Sequence, residues 1–149
     1  MSRVQRSAFV PYSAREMFDL VADIESYAGF LPWCGGSEVL TRDDTGVVAR
    51  VDIDFKGIRK SFVTKNTNTL GQSIHMQLRE GPFSQLEGIW RFTGLGDSAK
   101  VSLDLEFEFA GGLVGRALGP VFNSIAGTMV DSFVKRAEQV YGKRTFNQG

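Results

Sequence analysis

Polar and apolar residues alternate with a period of two along most of the chain between Ser37 and Phe109. Val47, Ala49, Val51, Ile53 and Phe55 fall on one side, with Val48, Arg50, Asp52 and Asp54 on the other. After Lys56-Gly57, the set Ile58, Lys60, Phe62 and Thr64 opposes Arg59, Ser61, Val63 and Lys65. Ile74, Met76 and Leu78 oppose His75, Gln77 and Arg79, and Leu86, Gly88, Trp90 and Phe92 oppose Gln85, Glu87, Ile89 and Arg91. Val101, Leu103, Leu105, Phe107 and Phe109 complete the apolar side. Breakers at Lys56-Gly57, Asn68 to Ser73, Gly81-Pro82 and Gly94 to Asp97 separate these runs. The pattern predicts an antiparallel meander of five or six strands with one wet face and one apolar face.

The flanks read differently. Val4 to Val10 alternates and predicts a further strand. Ser13 stands at an N-cap position with Glu16 three residues on, the spacing of a capping box. A short helix then runs to about Asp23, a second covers Ile24 to Phe30, and Leu31 to Gly36 closes it as a turn. Past Gly111-Gly112 the spacing becomes helical to Tyr141, with Leu118, Phe122, Ile125, Met129, Phe133, Ala137 and Val140 in one stripe widened by Val121. Gly119-Pro120 marks either the helix start or a kink. A sheet with one apolar face must cover it, and only the last helix is long enough. The expectation is a single α+β domain over residues 1–149. In it a curved sheet of six to seven strands wraps the C-terminal helix and leaves an apolar pocket between them.

Composition narrows the function. The 17 basic and 17 acidic residues balance, which argues against a domain built to neutralise many DNA phosphates. Basic residues do gather near the two ends, at Arg3, Arg6, Lys135, Arg136, Lys143 and Arg144. A single cysteine, Cys34, excludes an internal disulfide and fits a reducing compartment. No run approaches the ~18 apolar residues of a spanning helix, and the first ten residues lack the apolar core of a signal peptide. These features predict a cytoplasmic protein able to touch the inner membrane as a peripheral contact.

The candidate chemistry is that of a container. Phe55, Phe62, Met76, Leu78, Leu86 and Trp90 from the strands, with Val121, Phe122, Ile125, Met129 and Phe133 from the helix, are the predicted cavity wall. Lys60 shares their parity and would reach a polar head group, as would Thr64 and Asn66. Phe30, Leu31 and Trp33, read as loop residues, predict an exposed apolar lid or membrane-touching mouth. Cys34 has no base in its pattern, and the only histidine, His75, falls on the wet face without a companion ligand. No catalytic residue and no metal site is predicted. Each buried methylene is worth ~0.8 kcal/mol against water, so a five-carbon isoprenoid unit gains roughly 3–4 kcal/mol. Because a bilayer offers nearly the same gain, such a ligand exchanges between the two at little net cost.

Several strings carry a family likeness: Val10-Pro11-Tyr12-Ser13, Ser26-Tyr27-Ala28-Gly29-Phe30-Leu31-Pro32-Trp33-Cys34, Gly81-Pro82-Phe83 and Trp90-Arg91-Phe92. Together they resemble the coenzyme Q-binding START-domain proteins of the polyketide cyclase/dehydrase-like group, which includes the bacterial ribosome association toxins. The resemblance runs over nearly the whole chain. It implies a helix-grip (START/Bet v 1-like) fold and a sheet–helix pocket that takes ubiquinone or another isoprenoid lipid. It further implies a carrier or chaperone role in respiratory electron transfer, with no required cofactor and no enzymatic activity. The toxin-named members imply a second reading, association with the large ribosomal subunit, and the wider group a third, a polyketide cyclase-like enzyme. The start of the last helix, with Gly111, Gly112, Gly115, Gly119 and Pro120, is richer in breakers than the family pattern.

Overall fold

The computed structural model describes residues 2–146. The chain runs β1 (Ser2–Val10), α1 (Ala14–Ala22), a 3₁₀ helix (Ile24–Gly29), β2 (Cys34–Arg42), β3 (Gly46–Phe55), β4 (Ile58–Thr69), β5 (Ser73–Glu80), β6 (Phe83–Leu95), β7 (Ser98–Phe109) and α2 (Leu113–Tyr141). The seven strands form one curved antiparallel sheet in the order β1-β7-β6-β5-β4-β3-β2. β2 to β7 are therefore the predicted meander. β1 closes it at the far edge, and α1 with the 3₁₀ helix carries the chain from one edge to the other.

The alternation reads through to burial. Val47, Ala49, Val51 and Ile53 of β3 are buried, as are Leu86, Trp90 and Phe92 of β6 and Val101, Leu103, Leu105 and Phe107 of β7. Register is fixed wherever one face is buried, because a one-residue slip would turn the whole apolar set outward. The β3–β4 connection is a two-residue turn with Lys56 at φ 52° and Gly57 at φ 80°, the left-handed pair that matches strand twist.

One boundary differs from expectation, and one left open is decided. β2 starts at Cys34, so Gly35 and Gly36 belong to a strand rather than to a turn. A side chain at Gly35 would put its Cβ 2.9 Å from Asp54 Cβ, and one at Gly36 would approach Asp52 Oδ2 to 2.8 Å. These glycines answer a close cross-strand approach, which a sequence shows in the same way as a turn. The other concerns α2, which begins at Leu113, where the helical spacing placed it, and carries Pro120 within it. Of the two readings of Gly119-Pro120, the helix start is therefore excluded. The missing Pro120 N–H leaves the Arg116 carbonyl without its intrahelical donor.

α1 starts from a complete capping box. Ser13 Oγ accepts from the Glu16 N–H (3.1 Å) and Glu16 Oε1 accepts from the Ser13 N–H (2.9 Å). Its buried face is Met17, Phe18, Leu20 and Val21, and Phe18 meets the Phe92 ring edge-on at 5.7 Å. α2 lies closest to β1, β7 and α1. Its buried stripe is Leu118, Phe122, Ile125, Ala126, Val130, Phe133 and Ala137. Met129 is only half-buried and Val140 is 48% exposed. A strict seven-residue repeat drifts around a helix of 3.6 residues per turn, so Met129 and Val140 turn partly out of the contact while Leu118 and Ala137 stay in it.

Candidate functional site

Two aromatic clusters hold α2 to the sheet. In the first, Phe122 meets Phe107 at 4.7 Å, Phe83 at 4.9 Å, Phe109 at 5.9 Å and Phe62 at 6.1 Å. In the second, Phe133 touches Phe30 at 5.4 Å, Tyr27 at 5.5 Å and Trp90 at 5.5 Å. Edge-on and offset rings at these spacings add attraction beyond the area they bury. These rings occupy much of the layer between sheet and helix.

Smaller and softer side chains fill the stretch between the clusters. The helix offers Ile125, Ala126, Met129 and Val130, and the sheet offers Ala49, Thr64, Asn66, Met76 and Gly88. A Cβ built at Gly88 would stand 2.9 Å from Met76 Cε and 2.7 Å from Leu105 Cδ1. The thioether of Met76 therefore lies across the space that Gly88 leaves open. Met76, Leu78, Phe62, Phe55, Val121 and Met129 are half-buried apolar side chains packed against the core. Leu86, Trp90, Phe122, Ile125 and Phe133 are fully buried.

Two polar side chains sit within this apolar surface. Thr64 (5% exposed) donates from Oγ1 to Asn66 Oδ1 (6% exposed) at 2.8 Å. Further along β4, Asn68 Oδ1 is buried without a protein partner, as is Trp33 Nε1 near β3. Buried polar groups are nearly always paired, so unpaired ones mark places where water or a ligand group fits.

The predicted lid is corrected by the structure. Leu31 is 2% and Trp33 5% exposed, and Phe30 is half-buried between Tyr27, Phe133 and the Arg136 guanidinium 4.9 Å from its ring. The reason is tertiary. The Tyr27 hydroxyl donates to the Val21 carbonyl, and the Trp33 carbonyl accepts from the Asp54 N–H at 2.8 Å, which pins the segment to β3. Lys60 is corrected too, since it is exposed rather than inward. Close to the hairpin end its side chain reaches solvent despite its parity. It lines a depression of about 460 Å³ with Gly57, Ile58, Arg59, Leu113, Ala117 and Leu118. Leu118, 1% exposed, lies one helical turn before Phe122, so this depression adjoins the first aromatic cluster.

The two side chains weighed for chemistry, Cys34 and His75, sit apart, one buried and one on the wet face. Burial pushes the Cys34 thiol above its ordinary range, and its Sγ donates to the Gly36 carbonyl at 3.2 Å. His75 is paired with Glu87 at 2.7 Å on the wet face. Among the described residues no cluster of three or more metal-ligating side chains occurs.

Sequence reasoning missed three features. The first is Leu113 at the depression, 82% exposed, whose only signal was an apolar residue directly after two glycines. The second is the nesting of Met76 over Gly88. The third joins the chain ends: Arg144 donates to both Glu16 oxygens (2.7 and 2.9 Å), and Tyr141 Oη donates to the Glu16 carbonyl at 3.0 Å.

Comparison with known proteins bears on this geometry. The profile described as polyketide cyclase/dehydrase and lipid transport matches residues 10–134. "Ribosome association toxin RatA" of Pseudomonas aeruginosa is 46% identical over 95% of this chain and 99% of its own length. The protein of that name from Vibrio cholerae is 48% identical over 96% of this chain and its full length. "Coenzyme Q-binding protein COQ10 homolog B, mitochondrial" of Xenopus laevis is 27% identical over 93% of this chain and 59% of its own. Among solved structures, an 18 kDa protein of Caulobacter crescentus superposes with a TM-score of 0.75 at 30% identity, covering 96% of this chain and all of that one. A Streptomyces aromatase/cyclase gives 0.76 at 18% identity over 93% of this chain and 94% of its own, a likeness of fold alone.

Proposed function

The chain belongs to the polyketide cyclase/dehydrase and lipid transport family, and from that premise we propose that it binds an isoprenoid quinone of the ubiquinone class. The ligand lies between the sheet and α2, and the protein acts as a carrier rather than an enzyme. The observation that carries the reading is the row of half-buried apolar side chains. Phe55, Phe62, Met76 and Leu78 line the side of the sheet away from β1 and β7, the strands closest to α2, and Val121 and Met129 come from the helix itself. A tail entering beside Leu118 displaces Met76 and Met129, whose unbranched thioethers re-pack at low cost. Asn66, its Oδ1 held by the Thr64 hydroxyl, offers its amide N–H to a carbonyl-bearing head, because a mostly apolar site with a few polar groups fixes orientation in this way. No step in this activity needs a nucleophile. The relative named for coenzyme Q binding supports the ligand class.

Organic extraction of the purified protein followed by mass spectrometry tests the proposal, together with titration of short-chain ubiquinone. Bound quinone or saturable binding is expected, and Val121→Lys, which brings an ammonium into the half-buried row, abolishes it while Asp104→Asn on the wet face does not. Protein free of quinone that also fails to bind added quinone refutes it.

A second reading, association with the large ribosomal subunit that blocks subunit joining, is favoured by a specific observation. The toxin-named relatives match over nearly the full length of both chains at 46–48% identity. Sucrose-gradient profiles of cells overproducing the protein should then show free subunits rising at the expense of assembled ribosomes. An unchanged profile removes this reading. The two are compatible, since one uses the interior and the other a surface.

A further inference from the structure

We propose that the face formed by the β3–β4 turn and the first turns of α2 docks on an anionic lipid bilayer, with the 460 Å³ depression as the port through which the ligand passes. This rests on the carrier reading above for the port, whereas the docking itself stands on the surface alone. The turn presents Lys56, Arg59 and Lys60, all exposed, and the helix adds exposed Arg116. The one acidic group paired there is Asp54, 3.6 Å from Arg59, whose side chain remains 84% exposed. The first turn of α2 holds no acidic residue. Cations thus gather on one end of a chain whose total charge is balanced.

Among these cations lie apolar groups that reach the surface, with only Ile58 also packed against the core. Leu113 is 82% exposed, exposed Ala117 is one turn further on, and half-buried Ile58 completes the rim. Leu113, Arg116 and Ala117 share one helical face, since positions three and four apart are neighbours. An apolar tip ringed by lysine and arginine matches an acyl boundary beneath anionic head groups. An RNA partner would use the cations but has no use for Leu113. Leu118 at the floor of the depression leads to Phe122 and the half-buried row, so a tail leaving the bilayer stays in apolar surroundings throughout.

Sedimentation of the full chain with vesicles of phosphatidylcholine alone, and with 30 mol% phosphatidylglycerol, tests the surface (a chosen probe composition). Binding is expected only to the anionic vesicles and is released by salt. Each cation near such a surface contributes about a five-fold factor, so the triple variant Lys56→Gln, Arg59→Gln, Arg116→Gln should bind roughly 100-fold more weakly. Leu113→Asp should weaken binding as well, while Lys135→Gln elsewhere on α2 should not. All these positions are exposed, and unchanged thermal unfolding of each variant excludes loss of fold. The proposal is overturned if the chain ignores anionic vesicles, if the triple variant binds them like the parent, or if the triple variant loses ribosomal RNA binding while vesicle binding persists. Titration of water-soluble short-chain quinone into the triple variant separates the two proposals. Intact quinone binding with lost vesicle binding supports the surface. Vesicle binding by a chain that takes no quinone at all leaves the surface standing and removes the carrier reading.

Discussion

Glu16 joins the two ends of the chain. Its carboxylate takes both Nη groups of Arg144 and the Ser13 N–H, and its carbonyl takes the Tyr141 hydroxyl. Tyr12 Oη donates to the Gly142 carbonyl beside it at 2.7 Å. The Arg144 hydrogen bonds, aided by Ser13, hold the Glu16 carboxyl well below its ordinary 4.5, to about 2. A carboxyl with a lowered folded pKa contributes stability that is present in full above the unfolded value and is lost as pH falls. The window here is about pH 4.5 down to 2. Glu16→Gln should therefore lower the melting temperature at neutral pH, and the gap to the parent should close through that window. A gap independent of pH would assign the effect to the cap alone, where losing a side-chain partner costs about 1 kcal/mol. Gly88 offers a second test. Gly88→Val drives a branched side chain into Met76 and Leu105, and such overpacking costs about 1–3 kcal/mol in urea unfolding. Met76→Ala in the same chain should return part of the loss, giving a non-additive cycle, because the two side chains contend for one space.

At the scale of elements, α2 has two unequal parts. The segment Leu113–Gly119 carries Gly115 and Gly119, has no side-chain cap at Gly112, and is followed by Pro120, which removes one ladder hydrogen bond. The segment from Val121 onward buries Phe122, Ile125, Val130 and Phe133. Helical stability in proteins comes mainly from packing of the apolar face, so the first part depends on Leu118 more than on its own propensity. Amide hydrogen exchange should be markedly faster over residues 113–119 than over 122–137. Equal protection in both would contradict a port built on a weakly held first turn. The aromatic clusters explain why the second part is fixed. Phe133 and Phe122, eleven residues apart, each sit among rings from several different elements.

Across the molecule, charge and apolar surface are separated by the fold. The wet face of the sheet pairs its charges internally, as in Arg3 with Asp104 and Arg50 with Glu38 and Asp52. The concave side keeps the apolar row, and the end at Lys56, Arg59, Lys60 and Arg116 gathers four cations beside one paired acid, Asp54. Exposed ion pairs add little stability. Their effect on this protein is to leave one end positive while the total is zero. A ligand carrier that meets a bilayer end-on and a ribosome-binding protein that meets RNA would both use such an end. Leu113 separates these cases.

The alternation of residues 37–109 and the helical spacing after Gly112 were enough to set the sheet, its apolar face and the covering helix, because a period of two and a period of 3.6 admit different partners. The capping box at Ser13 and Glu16 was legible for the same local reason, and so was the inward side of Phe55, Phe62, Met76, Leu86 and Trp90. What lay beyond local pattern was decided by packing. Leu31 and Trp33 looked like exposed loop residues until hydrogen bonds from Tyr27 and Asp54 drew them inside. Lys60 looked inward by parity until the hairpin end let it reach water, and Gly35 and Gly36 looked like a turn until Asp52 and Asp54 crowded them. Period reports which side of its own element a residue takes. Whether that side meets a ring, a second strand or solvent depends on residues far away in the chain, and only the folded structure brings those together.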